Sequence, residues 1–458
     1  MRIRRTAAAA VSLTTAALLA GCAGIATGGS PDGVAASGPF DWKRYDGASI
    51  NVMLDQHPWS AGVKTRLDAF TAATGIKVNL QTYAEDLYFD KMNQAIRTTS
   101  SPDVVMTGID TTIATQQAAN LLEPLTPLID NTSLTSSDYA LSDIPAGILA
   151  PAQFPSKSSS SSLYGIPIST ETYILFYNKE LVQKYLGGKM PTTMAELVAD
   201  AQLVTAQGGG DVFGSVIRGV RTSAIVDTPT ALVLNEWPAS NPKIQLPYNV
   251  WFDGAWNKPR MTDPAIEKGL SDYAALIAAG PPNRLSLDWP DANALFSQGK
   301  AAFYVDASIF GPTFENPTQS AVVGKVGYST LPTGAAGGTT GFWSWGLAIP
   351  SASKNKGAAW LFTQWFTNKE NTAALGALTG GAPRQSSVDY PEYAAAFPAE
   401  YISTVKASLA TARSTALVKS DSEPALLVVV DAVLSLADGK KPTDVMKTAQ
   451  DQMSALFK

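Results

Sequence analysis

Ser49-Ile50-Asn51-Val52-Met53-Leu54 is the stretch whose reading decides the fold. From Ala48 onward, Ile50, Val52 and Leu54 alternate with Ser49, Asn51 and Met53, the period of a strand. Val63, Leu67 and Phe70 then recur at helical spacing before Gly75. Ile76, Val78 and Leu80 alternate again, and Phe89, Met92 and Ile96 fall on one helical face. After Pro102-Asp103, Val104-Val105-Met106 forms a short, continuously apolar strand. This β-α-β-α-β run predicts a mainly parallel sheet flanked by helices. Ligands of such sheets sit beyond the carboxyl ends of the strands, so residues 55–59 and 107–110 are the first site candidates. Within them, His57, Trp59 and Asp110 are the side chains to watch, Trp59 either facing the site or packing on its own lobe.

Farther along, Ser156 to Ser162 is serine-rich, and Leu163-Tyr164-Gly165-Ile166-Pro167 restarts a strand pattern that continues through Tyr173 to Tyr177. The chain is expected to cross into a second lobe there. Ala358 to Phe366 and Pro424 to Leu436 read as helices. No repeat with a period of about 20 to 50 residues is evident, which argues against solenoids and propellers.

The N-terminus speaks to compartment. Arg2, Arg4 and Arg5 precede an apolar run from Thr6 to Ala20, shorter than the roughly 17 to 25 residues of a membrane span, and it reads as a signal peptide over residues 1–21. Leu19-Ala20-Gly21-Cys22 resembles the lipobox of bacterial lipoproteins, which would make Cys22 the lipidated N-terminal residue of the mature chain. Cys22 is the single cysteine, so disulfides are excluded. Residues 22–43, rich in Gly, Ala, Ser and Pro up to about Phe40, then read as a flexible tether to the membrane.

Removal of residues 1–21 takes away three arginines and no acid, moving the formal charge from −5 to −8, which makes nucleic acid an unsuitable partner. Charged residues are 16% of the chain against about 25% on average, which fits a large core under a weakly charged surface. His57 is the only histidine, and no Asp-rich calcium loop accompanies it, so no metal and no cofactor are expected. No Gly-x-Ser-x-Gly elbow occurs, and Gly208-Gly209-Gly210 lacks the Lys-Ser/Thr of a phosphate loop, so nothing marks an enzyme.

Gly165-Ile166-Pro167, Glu171 and Leu175-Phe176-Tyr177-Asn178-Lys179-Glu180-Leu181 resemble a segment of family 1 extracellular solute-binding proteins. The resemblance continues through Phe296-Ser297-Gln298-Gly299-Lys300-Ala301-Ala302-Phe303, Leu331-Pro332, Gly346-Leu347-Ala348-Ile349-Pro350 and Ala358-Ala359-Trp360-Leu361-Phe362. Trp251-Phe252-Asp253, Gly280-Pro281-Pro282, Phe303-Tyr304-Val305-Asp306-Ala307 and Trp343-Ser344-Trp345 look most like the mannitol and sorbitol binders. Arg218-Gly219-Val220-Arg221 departs from the Arg-Gly-Arg segment expected there.

The resemblance implies an α/β, two-lobe periplasmic-binding-protein fold with discontinuous lobes, a hinge and an interlobe cleft. It places 44–162 plus 307–350 in the N-terminal lobe and 163–306 plus 351–458 in the C-terminal lobe. It further implies a monomer that delivers a sugar or polyol to an ABC permease. A glycerophosphodiester, an oligosaccharide or an amino-sugar on the same scaffold, or a sensor lipoprotein, stand as alternatives.

A hydroxyl-rich ligand needs carboxylates, arginines or amides for its hydroxyls and flat rings for its C–H faces. Trp343 and Trp345, two apart in a strand pattern, share a face that is either cleft or core. Asp306 and Glu171 lie at expected crossings, where each carboxylate could accept from hydroxyls or serve the hinge. Arg218, Arg221 and Arg384 could donate bidentate bonds or form ordinary ion pairs.

Overall fold

The computed structural model describes residues 36–457, apart from 110–111, 156–159, 238–240, 242–243, 336–338 and 420. Cys22, the signal peptide and most of the tether therefore lie outside the described residues, as does Asp110. Among the described residues, no helix is long and apolar enough to cross a membrane.

The strands in chain order are β1 (Ser49–Asp55), β2 (Lys77–Tyr83), β3 (Val104–Gly108), a small ribbon of β4 (Gln153–Phe154) and β5 (Ser162–Leu163), β6 (Ile166–Asn178), β7 (Phe213–Ser215), β8 (Ala301–Ala307), β9 (Val326–Ser329), β10 (Gly341–Ala348) and β11 (Arg413–Ser414). The main sheet runs β2-β1-β3-β10-β6-β8-β7. β1 is parallel to β2 and β3, as the alternation predicts, with helices Pro58–Thr74 and Glu85–Ala95 as the crossovers. Pro58 stands in the first turn of its helix, where no amide hydrogen is needed, and Gly75 ends that helix at φ +72°, a conformation that suits glycine.

Two hydrophobic cores flank this sheet. The first gathers Ile50, Leu54, Phe70 and Val104–Met106, and the second gathers Tyr173–Phe176, Phe296, Phe303 and Val429. β6 joins them: Ile166 and Ile168 enter the first core, Tyr173 to Phe176 the second. Between these apolar ends Ser169, Thr170, Glu171 and Thr172 are polar yet buried. β10 returns antiparallel along the same stretch, pairing Phe342 with Thr172 and Leu347 with Ile166. Two paired strands thus carry the chain between lobes, and their shared polar middle lies at the junction.

The expected allocation of the later segments to lobes is corrected by the packing. Ile309, Phe314, Val326 and Leu331 belong to the second core, because β8 does not lead back to the first lobe: β9 pairs on the other edge of β6, with Leu175 between Val305 and Ser329. Conversely, helix Lys356–Phe366 joins the first core, where Phe362 and Phe366 lie 5.3 and 5.8 Å from Phe70. The return crossing is made by β10, some thirty-five residues later than expected.

Candidate functional site

β1 ends at Asp55, and the chain turns there into a helix capped by His57, whose Nδ1 accepts from the Trp59 amide at 3.1 Å. That contact leaves the proton of the neutral ring on Nε2, which lies 3.4 Å from Glu171 Oε1. Glu171 is opposite Trp343 in the β6–β10 register, and Trp345 is opposite Ser169, so all four side chains emerge on one face. Ser169 Oγ confirms this by donating to Glu171 Oε1 at 3.3 Å. Trp345 is buried, stacked on Phe89 at 5.4 Å and 15°, with His57 5.9 Å away. Trp343 stands edge-on to it at 5.9 Å and 78° and stays half-buried, with ring surface left uncovered.

The second lobe supplies the opposite wall. β7 and β8 run parallel, and Arg218 and Asp306 lie at their carboxyl ends. Arg218 grips Asp306 with both Nε and Nη2, at 2.9 and 2.7 Å. Asp306 also accepts from the Tyr304 hydroxyl at 3.0 Å and the Ala307 amide at 2.8 Å, and it has no exposed surface. The sequence left open whether Asp306 meets hydroxyls or serves the hinge. Its oxygens are committed to the protein.

Carboxyl groups dominate where the walls meet. Burial, then the charges of Glu85 and Glu171, push the Asp55 carboxyl up to about 7 against the helping influence of His57 and the Gln56 amide. Its Oδ1 is buried and meets no donor. Burial also raises the Glu85 carboxyl, although Arg218, the Trp289 indole and His57 oppose the shift. Asp227 is raised to about 7, chiefly by burial, with Thr415 and Arg218 lowering it and Glu171 and Asp306 raising it. These mutual influences define one electrostatic cluster: Asp55, His57, Glu85 and Glu171 on one side, Arg218, Asp227 and Asp306 on the other.

Six of the sequence-derived candidates, His57, Glu171, Arg218, Asp306, Trp343 and Trp345, therefore come together. Three do not. Trp59 is 1% exposed in the first core, 6.2 Å from Phe366, because its place in the first helical turn directs the ring inward. Arg221 is exposed and bidentate to Asp431, a surface ion pair. Arg384 is buried, donating to the carbonyls of Thr367 and Ala140 and pairing with Asp143, and it ties loops of the first lobe together.

Glu85, Asp227 and Trp289 were missed. Glu85 follows the carboxyl end of β2 as Asp55 ends β1, so the same strand-end rule would have found it. Asp227 and Trp289 open helices Asp227–Asn235 and Trp289–Ser297, and nothing in the local sequence marks either as part of a site.

This arrangement can be set beside known proteins. The family model for bacterial extracellular solute-binding proteins matches residues 55–373. A Mycolicibacterium smegmatis protein named erythritol/L-threitol-binding protein is 28% identical over 398 residues, covering 83% of this chain and 80% of its own. A Pseudomonas aeruginosa mannitol-binding protein is 30% identical over 260 residues, covering 55% of this chain and 53% of its own. In fold, the chain superposes on a solute-binding protein from Agrobacterium radiobacter K84 in complex with ribitol, with a TM-score of 0.74, 24% identity and coverage of 90% and 99%. A counterpart from Agrobacterium vitis S4 with bound D-mannitol gives 0.72, 23%, 89% and 98%. Two α/β lobes, paired crossing strands and a polar cleft between them are the form of such a scaffold, and the chain belongs to the bacterial extracellular solute-binding protein family.

Proposed function

We propose that this protein captures an uncharged, hydroxyl-rich solute, a sugar alcohol, between its lobes and presents it to an ABC permease. The observation that carries the reading is the imbalance of the cleft. On the first wall Asp55 and Glu171 offer carboxyl oxygens, while Glu85 already accepts from the Trp289 indole, Asp227 from Thr415, and the arginine among them is bidentate to Asp306. Such a site has acceptors to spare and needs donors, which the hydroxyls of a polyol provide. The half-buried ring of Trp343 offers the flat surface that C–H groups require. The names of the M. smegmatis and P. aeruginosa relatives support the same class.

An anionic glycerophosphodiester fits poorly, since it would add negative charge to a cluster whose carboxyls already repel one another. We assign His57, Glu171 and Trp343 to ligand contact, Trp345 to supporting Trp343, and the Arg218–Asp306 pair to shaping the far wall. No step of catalysis is proposed. The exported, monomeric protein is anchored by lipid on Cys22 and works at the outer face of the membrane.

A thermal-shift panel of alditols, hexoses, disaccharides and phosphodiesters tests the ligand class, because a solute that binds only the folded state raises the melting temperature. Alditols should give the largest rise. A rise with phosphodiesters alone would refute the proposal. Mass spectrometry of membrane-extracted protein should find diacylglycerol on Cys22, and recovery of unmodified Cys22 would remove the anchor.

A further inference from the structure

One hydrogen bond crosses the cleft itself. Trp289 Nε1 donates to Glu85 Oε2 at 3.1 Å. Glu85 begins helix Glu85–Ala95, whose Tyr88 and Met92 lie in the first core, whereas Trp289 packs against the second. Both partners are held in position. The Trp289 amide donates to Asp288 Oδ1 at 2.7 Å within a capping box, and its ring stacks on Phe310 at 5.4 Å and 14°. Phe310 in turn stacks on Tyr304 at 6.1 Å and lies beneath Arg218, 5.9 Å from the guanidinium carbon. Burial raises the Glu85 carboxyl, and the charge of Arg218 favours its ionised form against that shift.

We propose that Glu85 and Trp289 form a clasp that holds the closed lobes together and sets how long a captured solute stays. The contact can exist only when the lobes have met, so it contributes nothing to the first encounter with ligand. Its loss therefore speeds release and leaves capture unchanged. A charge-assisted bond of this kind, partly shielded from water, corresponds to a roughly tenfold change in release rate. Glu85 and Trp289 are positioning residues, acting through lobe closure. The proposal rests on the two-lobe closure of the family and is independent of which solute is bound.

The test measures association and dissociation rates with the alditol, hexose, disaccharide or phosphodiester that stabilises the wild-type protein most. A failed sugar-alcohol reading then shows as a different solute and leaves the clasp measurable. Trp289→Phe keeps the stack on Phe310 and removes the donor. It should raise the dissociation rate about tenfold with the association rate within twofold of wild type. Glu85→Ala should do the same, and Glu85→Gln, which keeps an acceptor oxygen, should stay within threefold. The double variant Glu85→Ala/Trp289→Phe should release no faster than either single one, because each already breaks the same bond. Unchanged melting temperatures of the ligand-free variants separate the effect from misfolding. Additive single effects, or a fall in association with dissociation unaltered, would overturn the clasp.

Discussion

The two walls of the cleft are built on opposite plans. On the first lobe, Trp343 keeps free ring surface, Asp55 Oδ1 has no donor, and His57 and Glu171 meet at a loose 3.4 Å. On the second, Arg218 and Asp306 satisfy one another with two short bonds, and Tyr304 and the Ala307 amide take up what acceptor capacity remains. One wall has unspent hydrogen-bonding capacity and the other is internally complete. A wall with open valences can read a ligand, and a wall without them can only shape and close the space. In the proposed function the first lobe supplies recognition, and the second supplies a rigid face.

This contrast is broken most severely on the complete wall. Asp306→Ala leaves the Arg218 charge buried without its partner, which should cost about 3–5 kcal/mol of stability. Denaturant unfolding should show that loss, and a stability within 1 kcal/mol of wild type, on the order of ordinary surface substitutions, would deny the pair its structural role. The reading wall should respond differently. Trp343→Ala should weaken solute binding at least tenfold, about 1.4 kcal/mol, while the melting temperature of the free protein changes little. Calorimetric titration checks this, and wild-type affinity would take Trp343 out of the site.

Titration sharpens the comparison further. The Asp55 and Asp227 carboxyls hold their protons up to about 7 in the folded protein, against about 4 in an unfolded chain. The native state therefore binds more protons between those values. The stability these groups contribute is complete below pH ~4 and is lost as the pH rises through about 7. Asp55→Asn should flatten this decline, so that the variant melts several degrees above wild type at pH 8 and close to it at pH 4. Parallel pH profiles for the two proteins would show that Asp55 is not strained in this way. The smallest effect is expected at Arg221, whose exposed pair with Asp431 lies away from both walls: Arg221→Ala should leave the denaturant midpoint and the solute affinity within error of wild type, and a shift in either would give the pair a role in the fold or the site.

What the sequence disclosed follows from the range of the interactions involved. The alternation at Ile50, Val52 and Leu54 and the helical spacing at Val63, Leu67 and Phe70 are local signals, and the first βαβ units follow from them. The two-residue spacing of Trp343 and Trp345 likewise put both rings on one face, although which ring stays open depends on Phe89, a residue some 250 positions away. Arg218 and Asp306 were legible as candidates, but their mutual saturation across 88 residues was not, because each looks like a free ligand group until its partner is known. Of the two placements open to Trp59, packing on its own lobe holds for a related reason. A position next to a strand end favours a site, but the helical turn in which it sits decides where the ring points. The lobe exchange failed at β9, a short strand whose pairing with β6 keeps the chain in the second lobe.

In the proposed function the cleft reads an uncharged polyol through spare acceptors on one wall. Calorimetric titration of the same protein with D-mannitol and with its phosphate monoester tests this, because the ester brings negative charge to the carboxyl cluster on the same carbon skeleton. Measurable binding of the alditol, or of a shorter alditol treated the same way, is expected, with at least a hundredfold weaker binding of its phosphate ester, about 2.7 kcal/mol. Equal or tighter binding of the ester would contradict it.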